Sequence, residues 1–457
     1  MNSMTENPLG YEKIPKLLKS FAIPSITASL VGSLYNIVDQ IFIGQGVGYL
    51  GNAATNVSYP FSTICLAISL LIGIGSASRF SLYLGNKQPE AAAKAAGNGI
   101  SLMVISGLVY LIIGESLLPQ LLRLFGATKE VLPYAQQYAG VTLVGMPFLI
   151  VTNGMSNLIR ADGNPRYSMT CMLSGAIVNT ILDPIFIFAF HWGMFGAALA
   201  TILGQILSFL LAVRYLRRFK TVQFKKSYFK PKLKECLKTC SMGISSSANQ
   251  VAITFVQIVL HNSLTHYGAQ TVYGSEIPLA ACGIVMKTNA IILSIVVGIS
   301  QGAQPIIGFN YGARQYSRVR KAYLLAVKWN LIVSAAGFFL LQCFPKYIIS
   351  LFGDGDARYL EFAVLFMRIF LFMVLVNGVQ LLSSSFFTAI GKAMRGAFLA
   401  LTRQVFFLIP LILLLPLRFG IMGVLYAGPI ADFSAFVLSV VLVGREFKRQ
   451  RMITQEV

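Results

Sequence analysis

The sequence predicts an all-α membrane protein: twelve transmembrane helices in two six-helix bundles, related by a pseudo-two-fold axis along the membrane normal. Three observations predict it. Of 457 residues, 56% are hydrophobic and 12% charged, about half the charge of an ordinary soluble domain. Apolar runs such as "LMVISGLVYLIIG" and "VFFLIPLILLLPL" recur to the end of the chain. The chain also repeats itself at one fixed spacing.

Crossing hydrocarbon as a helix takes about 20 mostly apolar residues. The runs supply twelve candidates, beginning near residues 20, 54, 95, 131, 168, 194, 239, 278, 320, 359, 396 and 421. Barrel strands would instead alternate in polarity over about 10 residues. The opening stretch "MNSMTENPLGYEKIPKLLKS" has no apolar core ahead of a small-residue cleavage site, so it does not read as a signal peptide. "EKIPKLLKSF" reads as a short interfacial helix leading into the first span.

The repeat sets the organisation. "NAATNV" from Asn52 parallels "LAACGI" from Leu279, and "GSASRFSLYLGNKQ" from Gly75 parallels "GAQPIIGFNYGARQ" from Gly302. "LFG" recurs at Leu124 and Leu351, and "WGMFGAALA" from Trp192 recurs as "FGIMGVLYA" from Phe419. All four pairs share an offset of 227 residues. Each copy holds six spans, an even number, so both copies start on the same side of the membrane. Parallel repeats of this kind are a transporter architecture, with the path between the halves. The expected division is a first lobe over 1–218, a basic connector over 219–237 and a second lobe over 238–457. The connector is expected to lie as a solvated loop along anionic headgroups.

The net charge of +21 is distributed by side. With a cytoplasmic N-terminus, the inner loops collect Lys13, Lys16, Lys19, Lys87, Lys94, Arg160, Arg166, ten basic residues from Arg214 to Lys238, Arg314, Arg318, Arg320, Lys321, Lys328, Lys392, Arg395 and the tail "GREFKRQR". The outer loops hold Arg123, Lys129, Lys346, Arg358 and Arg418. That asymmetry puts both termini in the cytoplasm and points to the cell membrane. Without an aromatic-interleaved basic motif, nucleic acid is not an expected partner. Cys65, Cys171, Cys282 and Cys343 sit singly in apolar runs and read as small hydrophobes. Cys236 and Cys240 lack a second Cys/His pair for zinc. No HExxH, P-loop or Ser/His/Asp order appears, so an enzyme is not expected.

Against this apolar background Asp39, in "GSLYNIVDQIFIG", and Asp183, in "NTILDPIFIF", stand out. Each costs roughly 2.5–3.5 kcal/mol at mid-membrane on translocon scales. Asp39 falls about 7 Å below the outer end of span one, Asp183 roughly 10 Å below that of span five, and Thr201 about 10 Å into span six. Asn179 lies one turn before Asp183 on the same face. Four oxygen-bearing side chains can therefore share one layer in the outer half of the first lobe. Two carboxylates in low dielectric take up a proton or a cation, and Asn179 and Thr201 add neutral oxygens of the kind a hard cation accepts. Pro184 removes a backbone bond and frees a carbonyl.

In "VDQIFIGQ" from Val38, "RADGNP" from Arg160, "NTILDPIF" from Asn179, "GAALATILGQ" from Gly196 and "QGAQPIIGFNYGA" from Gln301, the chain resembles the multidrug and toxic-compound extrusion (MATE) transporters over essentially its whole length. The resemblance implies a two-lobed, V-shaped antiporter that exports amphipathic, often cationic compounds against inward H⁺ or Na⁺, with no other cofactor. Its cation-binding positions match Asp39, Asn179, Asp183 and Thr201, which would be the metal ligands if the ion is Na⁺. Tyr35 matches a position beside that site, and Asn153 is expected as a neighbour. Some members carry functional carboxylates on spans seven and ten; here "SSSANQVAITF" has Gln250 and "NGVQLLSSSFFTAIG" has none. Phe406, Pro410 and Gly428 stand at the repeat positions of Asn179, Asp183 and Thr201, so ion coupling is expected in the first lobe. Lys287, early in span eight, is expected to face the central cavity; Arg403 and Asp432 are further intramembrane charges. The expected partners are small amphipathic organic cations and membrane lipid, with the chain acting as a monomer. The rival reading is a flippase for a lipid-linked or other amphipathic metabolite.

Overall fold

The computed structural model describes residues 7–350 and 357–455; the Leu351 copy of "LFG" lies outside them. Among the described residues there is no strand. In the first half α1 (Ile14–Gly46), α2 (Tyr49–Gly85), α3 (Pro89–Ser116), α4 (Leu132–Ala161), α5 (Pro165–Pro184) and α6 (Gly193–Arg214) follow in order. The second half holds α7 (Leu233–Gly268), α8 (Glu276–Gly312), α9 (Tyr316–Cys343), α10 in two parts (Ala357–Phe370 and Val374–Ala389), α11 starting with Ala393–Leu401, and α12 (Ile421–Gln455). Among the described residues eleven helices are long and apolar enough to cross a membrane, and the bent pair, taken as one span, brings the number to twelve. Pro24, Pro60, Pro147, Pro305 and Pro429 lie inside these helices, as membrane packing tolerates.

The tenth span is not the continuous helix its apolar run suggests. Its parts meet at 49°, and the break at residues 371–373 contains neither Pro nor Gly. Contact with α12 accompanies the bend: a Cβ on Gly428 would stand 2.7 Å from the Phe370 carbonyl oxygen. Only a glycine lets that carbonyl come so near.

The start of α1, the basic connector, the turns at 86–88 and 313–315 and the last described turns of α12 share one end of the molecule, the basic end. The halves touch along their basic-end stretches. A Cβ on Gly243 of α7 would lie 1.7 Å from the Leu71 oxygen of α2, and one on Gly75 of α2 would lie 2.1 Å from the Thr239 oxygen of α7. A Cβ on Gly302, the repeat mate of Gly75, would lie 2.7 Å from the Ala22 Cα of α1. Arg79, 4% exposed, spans the same seam. It donates at 2.9 Å to the Glu235 carbonyl and the Thr239 hydroxyl, and pairs with the Glu235 carboxylate. Gln304 Nε2 donates to Ser78 Oγ at 3.1 Å beside it.

Helix α1 belongs to both halves. Leu17, Leu18, Phe21 and Ala22 pack with Ile306, Ile307, Tyr323 and Phe386 of the second half. Toward its far end Ile43 joins the first-half core with Phe61 and Met194.

The connector is exposed along one side, with Lys220, Lys225, Lys226 and Lys230 in the open, and packed along the other. Val222 and Tyr228 are buried in the first-half core, with Phe219, Phe224 and Phe229 against it. Asp162, from "RADGNP", accepts from Tyr215 Oη at 2.8 Å, the backbone N–H groups of Lys220 and Thr221 at 3.0 and 3.1 Å, and Thr221 Oγ1 at 2.5 Å. Asn98 of α3 donates to the Tyr228 carbonyl at 3.1 Å and accepts from Lys232 N–H at 2.9 Å. The basic residues count toward solvation, but the interleaved aromatics supply an apolar underside.

Candidate cation site in the first bundle

Four helices converge toward the far end of the first half. Helix α1 supplies Asp39 and Tyr35, α5 supplies Asn179 and Asp183, α6 supplies Thr201, and α4 supplies Tyr138. Pro184 has no N–H to give Thr180, and directly after it the backbone widens into a π turn over Ile185–Ala189. Such turns cluster at functional sites.

Asp183 is fully buried and Asn179 is 3% exposed. Asn179 Nδ2 donates at 3.2 Å to Asp183 Oδ1 and at 3.2 Å to Thr201 Oγ1. Thr201 in turn donates to the Ala197 carbonyl at 3.1 Å, so its lone pairs face the amide. The carboxyls of Asp39 and Asp183 stand within hydrogen-bonding reach of each other. Tyr35 and Tyr138 lie within electrostatic reach of both.

The cluster is short of donors. Asp39 Oδ1, Asp183 Oδ2 and Asn179 Oδ1 are buried and have no hydrogen-bond partner among the described residues. Buried acceptors are nearly always paired, and two apposed carboxylates repel unless something positive lies between them. The chemistry that completes this set is a proton shared between the carboxyls or a cation ligated by oxygen; a hard cation prefers such ligands.

The other expected residues do not join it. Asn153 is on α4, fifteen residues from Tyr138 and so about 22 Å along the helix. Its carbonyl accepts from Asn157 at 2.9 Å. Gln250, half-buried on α7, accepts through its carbonyl from Thr254. Lys287 is exposed. It lies eleven residues before Gly298, about 20° around the helix from it, and Gly298 abuts Ile26 of α1. Lys287 is thus on the face of α8 turned toward the first half, about 16 Å farther from the basic end. Arg403 and Asp432 pair with each other inside the second half.

Tyr138 was missed by sequence reasoning, although its depth could have found it: six residues into α4, or about 9 Å, it sits level with Asp39.

A family model described as MatE matches residues 24–185 and 248–414. The multidrug export protein MepA of Staphylococcus aureus (strain NCTC 8325 / PS 47) is 25% identical over 438 residues, covering 95% of this chain and 94% of the relative. MepA of Staphylococcus haemolyticus (strain JCSC1435) is 25% identical over 433 residues, covering 94% and 93%. Among solved structures, MATE in complex with MaL6 is similar with a TM-score of 0.91 at 22% identity, over 97% of this chain and 99% of the other. The outward-facing conformation of a multidrug resistance MATE family transporter of the MOP superfamily also has a TM-score of 0.91, at 21% identity over 99% and 100%.

Proposed function

The chain belongs to the MatE family, and on that footing we propose that this multi-pass membrane transporter is a multidrug exporter working by cation-coupled antiport. H⁺ or Na⁺ enters at Asp39, Asp183, Asn179 and Thr201 as an amphipathic, typically cationic compound leaves through the cleft between the halves. The two lobes, 1–218 and 238–457, are the moving bodies. The connector 219–237 travels with the first, the chain acts as a monomer in the cell membrane, and both termini are cytoplasmic.

The observation that carries this reading is the pair of buried, apposed carboxyls in the first half, Asp39 and Asp183, each with an oxygen that no donor reaches among the described residues. Ion binding there stabilises one arrangement of α1 against α5, and a transporter needs such a difference between its two states. With the basic end cytoplasmic, the seam at Arg79 holds the inner side shut and leaves the cleft facing out.

Dye efflux from inverted vesicles, with pH and Na⁺ gradients imposed separately, tests the reading. One gradient alone should drive export, and Asp39→Asn and Asp183→Asn should each abolish that drive while the protein still folds. Wild-type rates in Asp39→Asn under the same gradient would make the carboxylate structural and sink the mechanism. A second reading, an exporter or flippase of amphiphiles with an anionic headgroup, is favoured by Lys287 alone. Anionic dyes should then compete better than cationic ones, and Lys287→Gln should remove that advantage.

A further inference from the structure

At the basic end, α9 and α12 line a half-open cavity of about 550 Å³ on the second half, which meets the seam only at Tyr316. Its lining includes Arg320, Lys321 and Arg451, with Leu324 and Phe447 as apolar surface. The three cations are exposed. Among the described residues none has a carboxylate within ion-pairing distance. Glu446 on α12 is already bound by Lys392 and Arg395. Tyr316 and Ser317, also in the lining, open the 28-residue helix α9, whose positive dipole end adds to the field. Below this rim the surface turns apolar. Phe447 packs edge-on against Tyr323, and Leu324 is 49% exposed.

We propose that this cavity is a binding site for an anionic phospholipid, whose phosphate is held by Arg320, Lys321 and Arg451 while an acyl chain runs down α9 past Leu324. Two features favour lipid over a free anion. The site stands where the positive-inside asymmetry places the headgroup layer, and its floor offers hydrocarbon that inorganic phosphate cannot use. Its volume is that of a ligand pocket rather than a flat patch. Arg320 and Arg451 also present planar forks suited to phosphate oxygens.

Native mass spectrometry of the full chain, with equimolar phosphatidylglycerol and phosphatidylcholine of the same acyl chains, tests this. At about fivefold per basic residue near the surface, the wild type should prefer the glycerol lipid by on the order of 100-fold. The triple change Arg320→Gln, Lys321→Gln, Arg451→Gln should bring the two lipids near parity. Lys226→Gln, Lys230→Gln, Lys234→Gln removes the same charge from the connector region and should keep the preference. Should the first triple fold poorly, Lys321→Gln alone should lower the preference about fivefold. Parity in the wild type overturns the proposal, and so does equal loss in both triples, which would mean a diffuse field. Thermal stabilisation by inorganic phosphate equal to that by phosphatidylglycerol would assign the site to a free anion instead.

Discussion

Replacing Gly243 by Ala is the most direct test of the seam at the basic end. The new Cβ would lie 1.7 Å from the Leu71 oxygen, with the Leu71 carbonyl carbon at 2.5 Å and its Cα at 2.9 Å. All three are backbone atoms, so no rotamer change relieves them. Moving from 1.7 Å to the 3.4 Å of ordinary contact separates α2 from α7 by about 1.7 Å. The same shift stretches the 2.9 Å bonds from Arg79 to Glu235 and Thr239 past hydrogen-bonding range. Hydrogen bonds to a charged group are worth about 1.5–3 kcal/mol each. Losing both weakens the closed seam by about 3–6 kcal/mol, a factor of about 10²–10⁴ in the equilibrium between states. Spin labels at Gln88 and Gln315, on opposite halves at the basic end, should report a new, longer distance in Gly243→Ala, and gradient-driven export should fall with it. A monodisperse, folded variant with the wild-type distance distribution and export rate would refute the reasoning.

Four further outcomes follow from the geometry. Asp39→Asn and Asp183→Asn should cancel the response of dye export to the driving gradient with little change in melting temperature, since the amide keeps size and loses the charge. Tyr138→Phe should shift the ion concentration that half-saturates transport by a few-fold and leave drug affinity in place, measured by export against ion titration. Asp162→Ala leaves four donors without their acceptor, three of them on the connector, at about 1–3 kcal/mol per buried group; limited proteolysis should then cut within 219–232, where the wild type resists. Asp432→Ala strands Arg403 in apolar surroundings at about 3–5 kcal/mol. A lowered melting temperature should show it, and Arg403→Met with Asp432→Leu should recover most of the loss.

The number and order of helices were legible because span length is dictated by membrane thickness and the 227-residue repeat is visible in plain sequence. The candidate site was legible for a related reason: an aspartate costs too much in such helices to go unnoticed, and rise per residue converts position into depth. Tyr138 carries no such cost, since a tyrosine near a helix end is ordinary in a membrane protein. The bend in α10 depends on what Gly428 allows from a distant helix, and no local signal announces it. In the connector the lysines announced the exposed side, whereas the packed side, where Asp162 and Asn98 hold the backbone, carries no charge signal. Asp432 was visible as a buried charge, but its partner Arg403 is 29 residues away in sequence and only the fold brings the two together.

Helix α1 has its near half in one bundle's core and its far half in the other's. Until α8, α9 and α10 have been made, Leu17, Leu18 and Phe21 have no second-half neighbours to cover them, so the first six spans cannot finish assembling when they leave the ribosome. The mirror relation holds at α7, whose early residues are gripped by α2. Each copy of the repeat thus lends its leading helix to the other, which is the geometry of a swapped dimer. An ancestral single copy would have been complete only as a pair.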